Sequence, residues 1–237
     1  MSYNIHKGIG GIDRKYRPER IVETIRHYNP DVALLQEVDD SVPRSRGDKQ
    51  IELFADLLNF KYKAFQSNVK LKQGCYGNAI LSHYPISNSV NIDLTVPPKK
   101  KRRGLAAQIK IKKGGHTRSV KFINVHFGLA AYERAIQSKR LVSHEYIAND
   151  HHSLPIIIGG DFNDLWQNLC RKVFLANHYT LALGRTKTFP AIYPSRALDR
   201  VFYKGKVQMV NSFAGHTDLA HQASDHLPII VDFSLDI

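Results

Sequence analysis

Polar side chains of catalytic type stand repeatedly where apolar runs of the chain begin or stop. Asn4 follows Tyr3, and Glu37 follows the run 32–35 across Gln36. His126 closes 120–125, and Asp161 with Asn163 follows 156–158 across two glycines. Asp199 lies at the start of 198–203, and Asp225 and His226 precede 227–233. Short apolar runs bounded by turn residues read as buried strands. A charged group at the end of a buried strand is costly unless it is paired or binds a metal ion. The fold must therefore gather these strand ends into one place.

Composition limits how that is done. A chain of 237 residues with 43% hydrophobic side chains suits one packed domain, residues 1–237, and excludes disorder and fibre. No apolar run approaches the roughly 20 residues of a membrane-spanning helix. Two cysteines, Cys75 and Cys170, can form neither a disulfide framework nor a four-ligand zinc site alone. With 34 basic against 21 acidic residues the net charge is +13, which attracts phosphates, nucleic acid or anionic membranes. The opening Met1-Ser2-Tyr3-Asn4 shows neither basic leader nor apolar signal segment. The expectation is a cytoplasmic location, unless a leader has been removed.

Strand and helix patterns alternate along the chain, which predicts a mixed α/β domain. Strands are expected at 3–5, 32–35, 77–81, 87–94, 105–111, 120–125, 156–158, 198–203, 208–213 and 227–233. Helices are expected from Pro18 to Asn29-Pro30, around Ile51, Phe54, Leu57 and Leu58, over 132–148 and over 167–176. The first strand is shorter than the usual five or six residues. Residues 186–195, with two prolines, read as an irregular loop.

Each polar motif has a plain reading beside the chemical one. Glu37 alone is a solvated residue opening a loop over 38–47; joined to Asn4 it offers the oxygen ligands that suit magnesium. Gly160-Asp161-Phe162-Asn163 is either a turn or a carboxylate that deprotonates water, with an amide facing the same way to hold a phosphate oxygen. His226 is a surface histidine unless Asp199 orients it and keeps it cationic, ready to stabilise charge on a transferring phosphoryl group.

The ordered set Tyr3-Asn4-Ile5, Leu35-Gln36-Glu37-Val38, Gly77-Asn78-Ala79-Ile80-Leu81-Ser82, Asn124-Val125-His126, Gly160-Asp161-Phe162-Asn163, Leu198-Asp199-Arg200-Val201-Phe202 and Ser224-Asp225-His226-Leu227-Pro228 closely resembles the endonuclease/exonuclease/phosphatase superfamily, of deoxyribonuclease I-like fold. The resemblance implies a four-layer α/β sandwich, with two mixed sheets face to face and helices outside. It further implies a phosphoric ester hydrolase using Mg2+, with Mn2+ as the substitute, and one-step in-line attack by water. By motif, Glu37 is similar to the main metal ligand, with Asn4 beside it and Asp225 in a metal- or phosphate-organising position. Asp161 would activate water, Asn163 hold phosphate, Asp199 orient His226, and His126 contact phosphate or assist the leaving oxygen. Arg103 resembles an arginine that grips phosphate. Tyr76 and Asn78 lie close to these motifs, Asn78 with a strand-packing alternative. Where abasic-site DNA enzymes carry tyrosine this chain has His126, closer to the branch of deoxyribonuclease I, sphingomyelinases, inositol phosphatases and tyrosyl-DNA phosphodiesterases.

The basic run 97–103 is either a solvated loop or a grip on phosphate backbones. Nucleic acid is accordingly the first expected partner, and a nuclease or DNA-end-processing phosphodiesterase the first function. A phosphorylated lipid or sugar is the alternative, with Phe189, Ile192 and Tyr193 as its rim. A polyanion-binding module without activity is the third.

Overall fold

The computed structural model describes residues 1–148, 154–165 and 169–235. In chain order these form β1 (Ser2–Asn4), α1 (Pro18–Tyr28), β2 (Val32–Asp40), α2 (Gln50–Leu57), β3 (Tyr62–Lys70), β4 (Cys75–Ser82), β5 (Ile86–Asp93), β6 (Arg103–Lys113), β7 (His116–His126), α3 (Ala131–Ser143), α4 (Glu145–Ala148), β8 (Ile156–Asp161), α5 (Leu169–Ala176), β9 (Thr180–Leu181), β10 (Asp199–Lys204), β11 (Val207–Ala214), α6 (Asp218–Ala223) and β12 (Ile229–Leu235). Two six-stranded sheets result, ordered β11-β12-β1-β2-β4-β3 and β5-β6-β7-β8-β10-β9. Both are mixed: β1 runs parallel to β2 and β7 parallel to β8, while their other neighbours are antiparallel.

Strand alternation explains why the apolar runs are continuous. Ala33 and Leu35 of β2 face the helices, packing with Ile21 and Ile25 of α1 and Phe54 of α2. Val32 and Leu34 face the other sheet, where they meet Ile109, Val120 and Ile157. On β8, Ile156 and Ile158 turn outward to Leu141 of α3 and Phe174 of α5, and Ile157 turns inward. A strand buried on both faces has no polar side to show. The layers are therefore helix, sheet, sheet, helix, as the resemblance implied. None of the described helices is long and apolar enough to cross a membrane.

Several elements differ from the expectation. Strand β3 is absent from it because Tyr62–Lys70 is an edge strand with an irregular, half-exposed pattern. Helix α6 is short, and its signal is the cap alone: the Thr217 hydroxyl accepts from the Ala220 N–H at 3.1 Å. The helix expected over 132–148 breaks at His144, whose ψ of 135° is extended. Positions 167 and 168 of the expected helix 167–176 lie outside the described residues. Strand β2 runs on to Asp40 instead of ending at Leu35.

The parallel pairing of β1 with β2 and of β7 with β8 brings the C-terminal ends of these strands to one edge. Antiparallel β10 and β12 bring their N-terminal ends there. That edge carries the polar strand ends picked out in the sequence.

Candidate active site

A bulge sets Glu37. The β2–β4 register shifts between Leu35 and Val38, and Glu37 adopts φ 57°. Beside the shift, Asn124 Nδ2 of β7 donates to the Leu35 carbonyl and to the Ala79 carbonyl, each at 2.8 Å. Asn124 in turn accepts from Gln36 Nε2 at 2.8 Å. One buried amide thus clamps the two sheets directly beneath the site. Gly77 sits opposite this bulge, where any Cβ would collide with the Gln66 carbonyl.

The carboxylates and imidazoles above the clamp form a connected set. Asn4 Nδ2 donates to Asp161 Oδ2 at 3.1 Å and lies 3.5 Å from Glu37 Oε1. Its backbone is held by the Ser224 hydroxyl, which donates to the Asn4 carbonyl at 2.7 Å, so the short β1 supports Asn4 well. Asp161 Oδ2 lies 3.6 Å from His126 Nε2 and 3.7 Å from His226 Nε2. His226 Nδ1 is 2.9 Å from Asp199 Oδ2, and Thr188 Oγ1 donates to that oxygen at 2.5 Å. The Phe189 ring packs 4.9 Å from the His226 ring.

Burial and neighbouring charge set the proton affinities. Desolvation works against the His226 charge, but Asp199 and Asp161 outweigh it and raise its pKa to about 10. Desolvation raises Asp161 to about 7, against the pull of His226, which places a proton acceptor near neutrality. His126 is held neutral, first by burial and then by the Arg102 charge. Burial would raise Glu37; His126 and Lys7 oppose this and hold it at about 2, and with His126 neutral, Lys7 is the cation responsible. The Lys7 ammonium is ion-paired to Glu37 Oε2.

The remaining candidates are placed differently. Asn163, at φ 51°, gives its N–H to Asp161 Oδ1 at 2.9 Å and its side-chain amide to the Phe127 carbonyl at 2.9 Å. It steadies Asp161. Asp225 lies 3.7 Å from His6 Nδ1, and its Oδ1 is buried without a hydrogen bond. The Arg103 guanidinium donates to the Ser67 carbonyl at 3.1 Å, so it is tied to β3 and not set among the carboxylates. Asn78 Nδ2 donates to the Arg103 carbonyl at 3.0 Å, a strand-packing role. Sequence reasoning missed Lys7, Thr188, Ser224 and the bracing role of Asn124; only Asn124 and Ser224 lie inside motifs it used.

Among the described residues, two sets of atoms could serve a divalent cation as ligands. Asp161, Asp199 and His226 offer atoms within 4.8 Å of one another, but Asp199 Oδ2 is already occupied by Thr188 and His226. Glu37 with Asn4 offers oxygen ligands of the hard type, and Glu37 already pairs with one cation, the Lys7 ammonium. Asp225 adds a carboxylate oxygen that makes no hydrogen bond.

Known proteins resemble this chain in sequence and in fold. The curated protein YbhP of Escherichia coli (strain K12), described as uncharacterized, is 28% identical over 247 residues, covering 99% of this chain and 95% of its own. The crystal structure of an endonuclease/exonuclease/phosphatase from Beutenbergia cavernae DSM 12333 superposes with TM-score 0.79 at 24% identity, over 99% of this chain and 70% of that one. The mannosyl-6-phosphatase Bt3783 of Bacteroides thetaiotaomicron VPI-5482 superposes with TM-score 0.74 at 14% identity, over 99% and 98%. The sequence model of the Endonuclease/Exonuclease/phosphatase family matches residues 1–226, and the chain belongs to that family of phosphoric ester hydrolases.

Proposed function

We propose that the chain is a magnesium-dependent phosphodiesterase whose first substrate class is nucleic acid. The observation that carries this reading is the unbroken polar chain from Asp199 through His226 and Asp161 to Asn4 and Glu37, buried between strand ends of both sheets.

Glu37 and Asn4, together with Asp225, would hold the cation, which when bound supplies Lewis-acid stabilisation of charge on the phosphoryl oxygens. Asp161 takes the proton from water as the water oxygen bonds to phosphorus in line with the leaving oxygen. His226, kept cationic and oriented by Asp199, presents its Nε2–H to the charge that develops. Neutral His126 offers an N–H to the leaving oxygen as its bond to phosphorus breaks. Asn163 keeps Asp161 in place.

The net charge of +13 supports a polyanionic substrate. A second reading, a phosphorylated lipid or sugar, is favoured by the loop between β9 and β10, where Ile192 is 58% and Tyr193 83% exposed. The mannosyl-6-phosphatase among the structural neighbours fits that alternative. Hydrolysis of plasmid, single-stranded DNA, RNA and phosphoinositides with magnesium or chelator, in the native chain and in Asp161→Asn, tests both. Magnesium-dependent nicking that Asp161→Asn lacks supports the first; turnover of lipid or sugar phosphate alone replaces it with the second.

A further inference from the structure

Among the described residues six large apolar side chains are more than half exposed: Ile12, Leu129, Tyr132, Ile192, Tyr193 and Val210. Exposed apolar residues scattered singly need no explanation. These are not scattered. Val210 stands in β11, whereas the other five stand in loops, or in the first turn of α3, that adjoin the site.

Two of the loops meet at Asp225. Gly11 lies so close that a Cβ there would stand 2.8 Å from the Asp225 Cα, and the Ala191 N–H donates to the Asp225 carbonyl at 2.8 Å. Ile12 and Ile192 are the next residues along. The second loop is anchored: Ala191 is buried with Ala220 and Leu227, and the Tyr193 N–H donates to the Pro190 carbonyl at 3.1 Å. A fixed backbone therefore holds Ile192 and Tyr193 out in solvent. Leu129 belongs to the Asp161 side. The Phe127 N–H donates to the Asp161 carbonyl at 2.9 Å, and the buried Arg134 donates to the Leu129 carbonyl. Tyr132 follows in the first turn of α3. The apolar side chains thus flank the site at both Asp225 and Asp161.

Their surroundings are basic. Arg14, Lys15 and Arg17 are exposed near Ile12, as are Arg185, Lys187 and Arg196 on the loop of Ile192. Within 9–17 and 184–197 the only acid is Asp13, which pairs with Arg20 at 2.9 Å. Lys99, Lys100 and Lys101 are exposed on the loop before β6, whose Gly104 pairs with Val125, next to His126. Apolar side chains among cations suit an anionic bilayer, because the former enter the acyl boundary and the latter meet the headgroups. Ile12, Leu129 and Ile192 are aliphatic and have no ring to stack on a nucleobase, whereas tyrosine sits well at headgroup level.

We propose that this edge of the molecule docks on a bilayer of anionic phospholipid, with Ile12, Leu129, Ile192 and Tyr193 entering it and the site facing the headgroups. The inference goes beyond the function proposed above: it says where the site is presented, and its test requires no turnover.

Cosedimentation of the full chain with vesicles tests it at physiological salt, phosphatidylcholine alone against phosphatidylcholine and phosphatidylglycerol in equal parts. The native chain should pellet with the anionic vesicles and stay in solution with the neutral ones. Ile192→Ser combined with Tyr193→Ser should weaken binding on the order of tenfold or more, as loss of buried apolar area implies. Leu129→Ser should weaken it separately. Val210→Ser, also apolar and exposed in the native chain but on β11, should bind like the native chain. Failure of the native chain to bind anionic vesicles overturns the proposal. Binding that the loop variants retain in full overturns it too, since that is adsorption by net charge alone. A third contrary result is a single-stranded oligonucleotide whose binding the double variant weakens while vesicle binding is unchanged; the loops would then read bases. Where a serine variant does not keep the native melting temperature, alanine takes its place.

Discussion

The two halves of the site are held by different physics. On the His226 side the geometry rests on short hydrogen bonds: Thr188 to Asp199 at 2.5 Å, His226 to Asp199 at 2.9 Å, and the Asn163 N–H to Asp161 at 2.9 Å. On the Glu37 side it rests on charge balance at a bulge, with Lys7 and Glu37 neutralising one another at partly exposed positions. The first half is pre-organised, so it needs little movement to take a proton and offer one. On the proposed reading, a cation entering the second half displaces Lys7 from Glu37, so that half is the one metal would rebalance.

The sharpest way to break the contrast is Asp161→Asn. Turnover of the accepted phosphoester should fall by roughly 10²–10⁴-fold, the usual share of a positioned base, while the melting temperature holds. Retained turnover would remove Asp161 from the chemistry. Asn124→Ala should orphan the Leu35 and Ala79 carbonyls, at about 1–3 kcal/mol each, and urea unfolding would show it. No loss of stability would mean that the clamp beneath the two halves is dispensable.

The His226 side also predicts a pH dependence with a definite sign. Its pKa rises from 6.5 to about 10 on folding, so the stability supplied by its charge is complete below 6.5 and vanishes as pH climbs through about 10. The stability gap between the metal-free native chain and Asp199→Asn should therefore be widest near pH 6 and close towards pH 10. A gap that widens with pH contradicts this. The smallest effect is expected at Lys7: Lys7→Met should lower the magnesium concentration needed for half-activation by a few-fold, because an internal competitor is removed. Glu37→Gln should raise it. If both variants shift it the same way, Lys7 is not a stand-in for the metal.

Much of this was legible beforehand, and the reasons differ by residue. The β8 strand is recognisable because Ile156, Ile157 and Ile158 are buried on both faces, leaving an unbroken apolar run. Strand β3 hides because an edge strand meets no such demand. Asp161, Asp199 and His226 could be named from position, since charged groups beside buried strands need partners. Lys7 could not, because nothing in a single lysine reports that a distant bulge will turn a carboxylate towards it. Arg102 and Arg103 are adjacent and chemically identical, so the order of residues does not say which one is tied to the Ser67 carbonyl.

Local sequence therefore determined the elements and the residue types at their ends, because burial and capping act over a few neighbouring positions. The tertiary structure alone decided which ends meet, which cation faces Glu37 and which arginine is tied to the Ser67 carbonyl. Those outcomes depend on sheet register and on charges brought together from residues as far apart as Asn4 and Asp161, which touch only after the two sheets have packed.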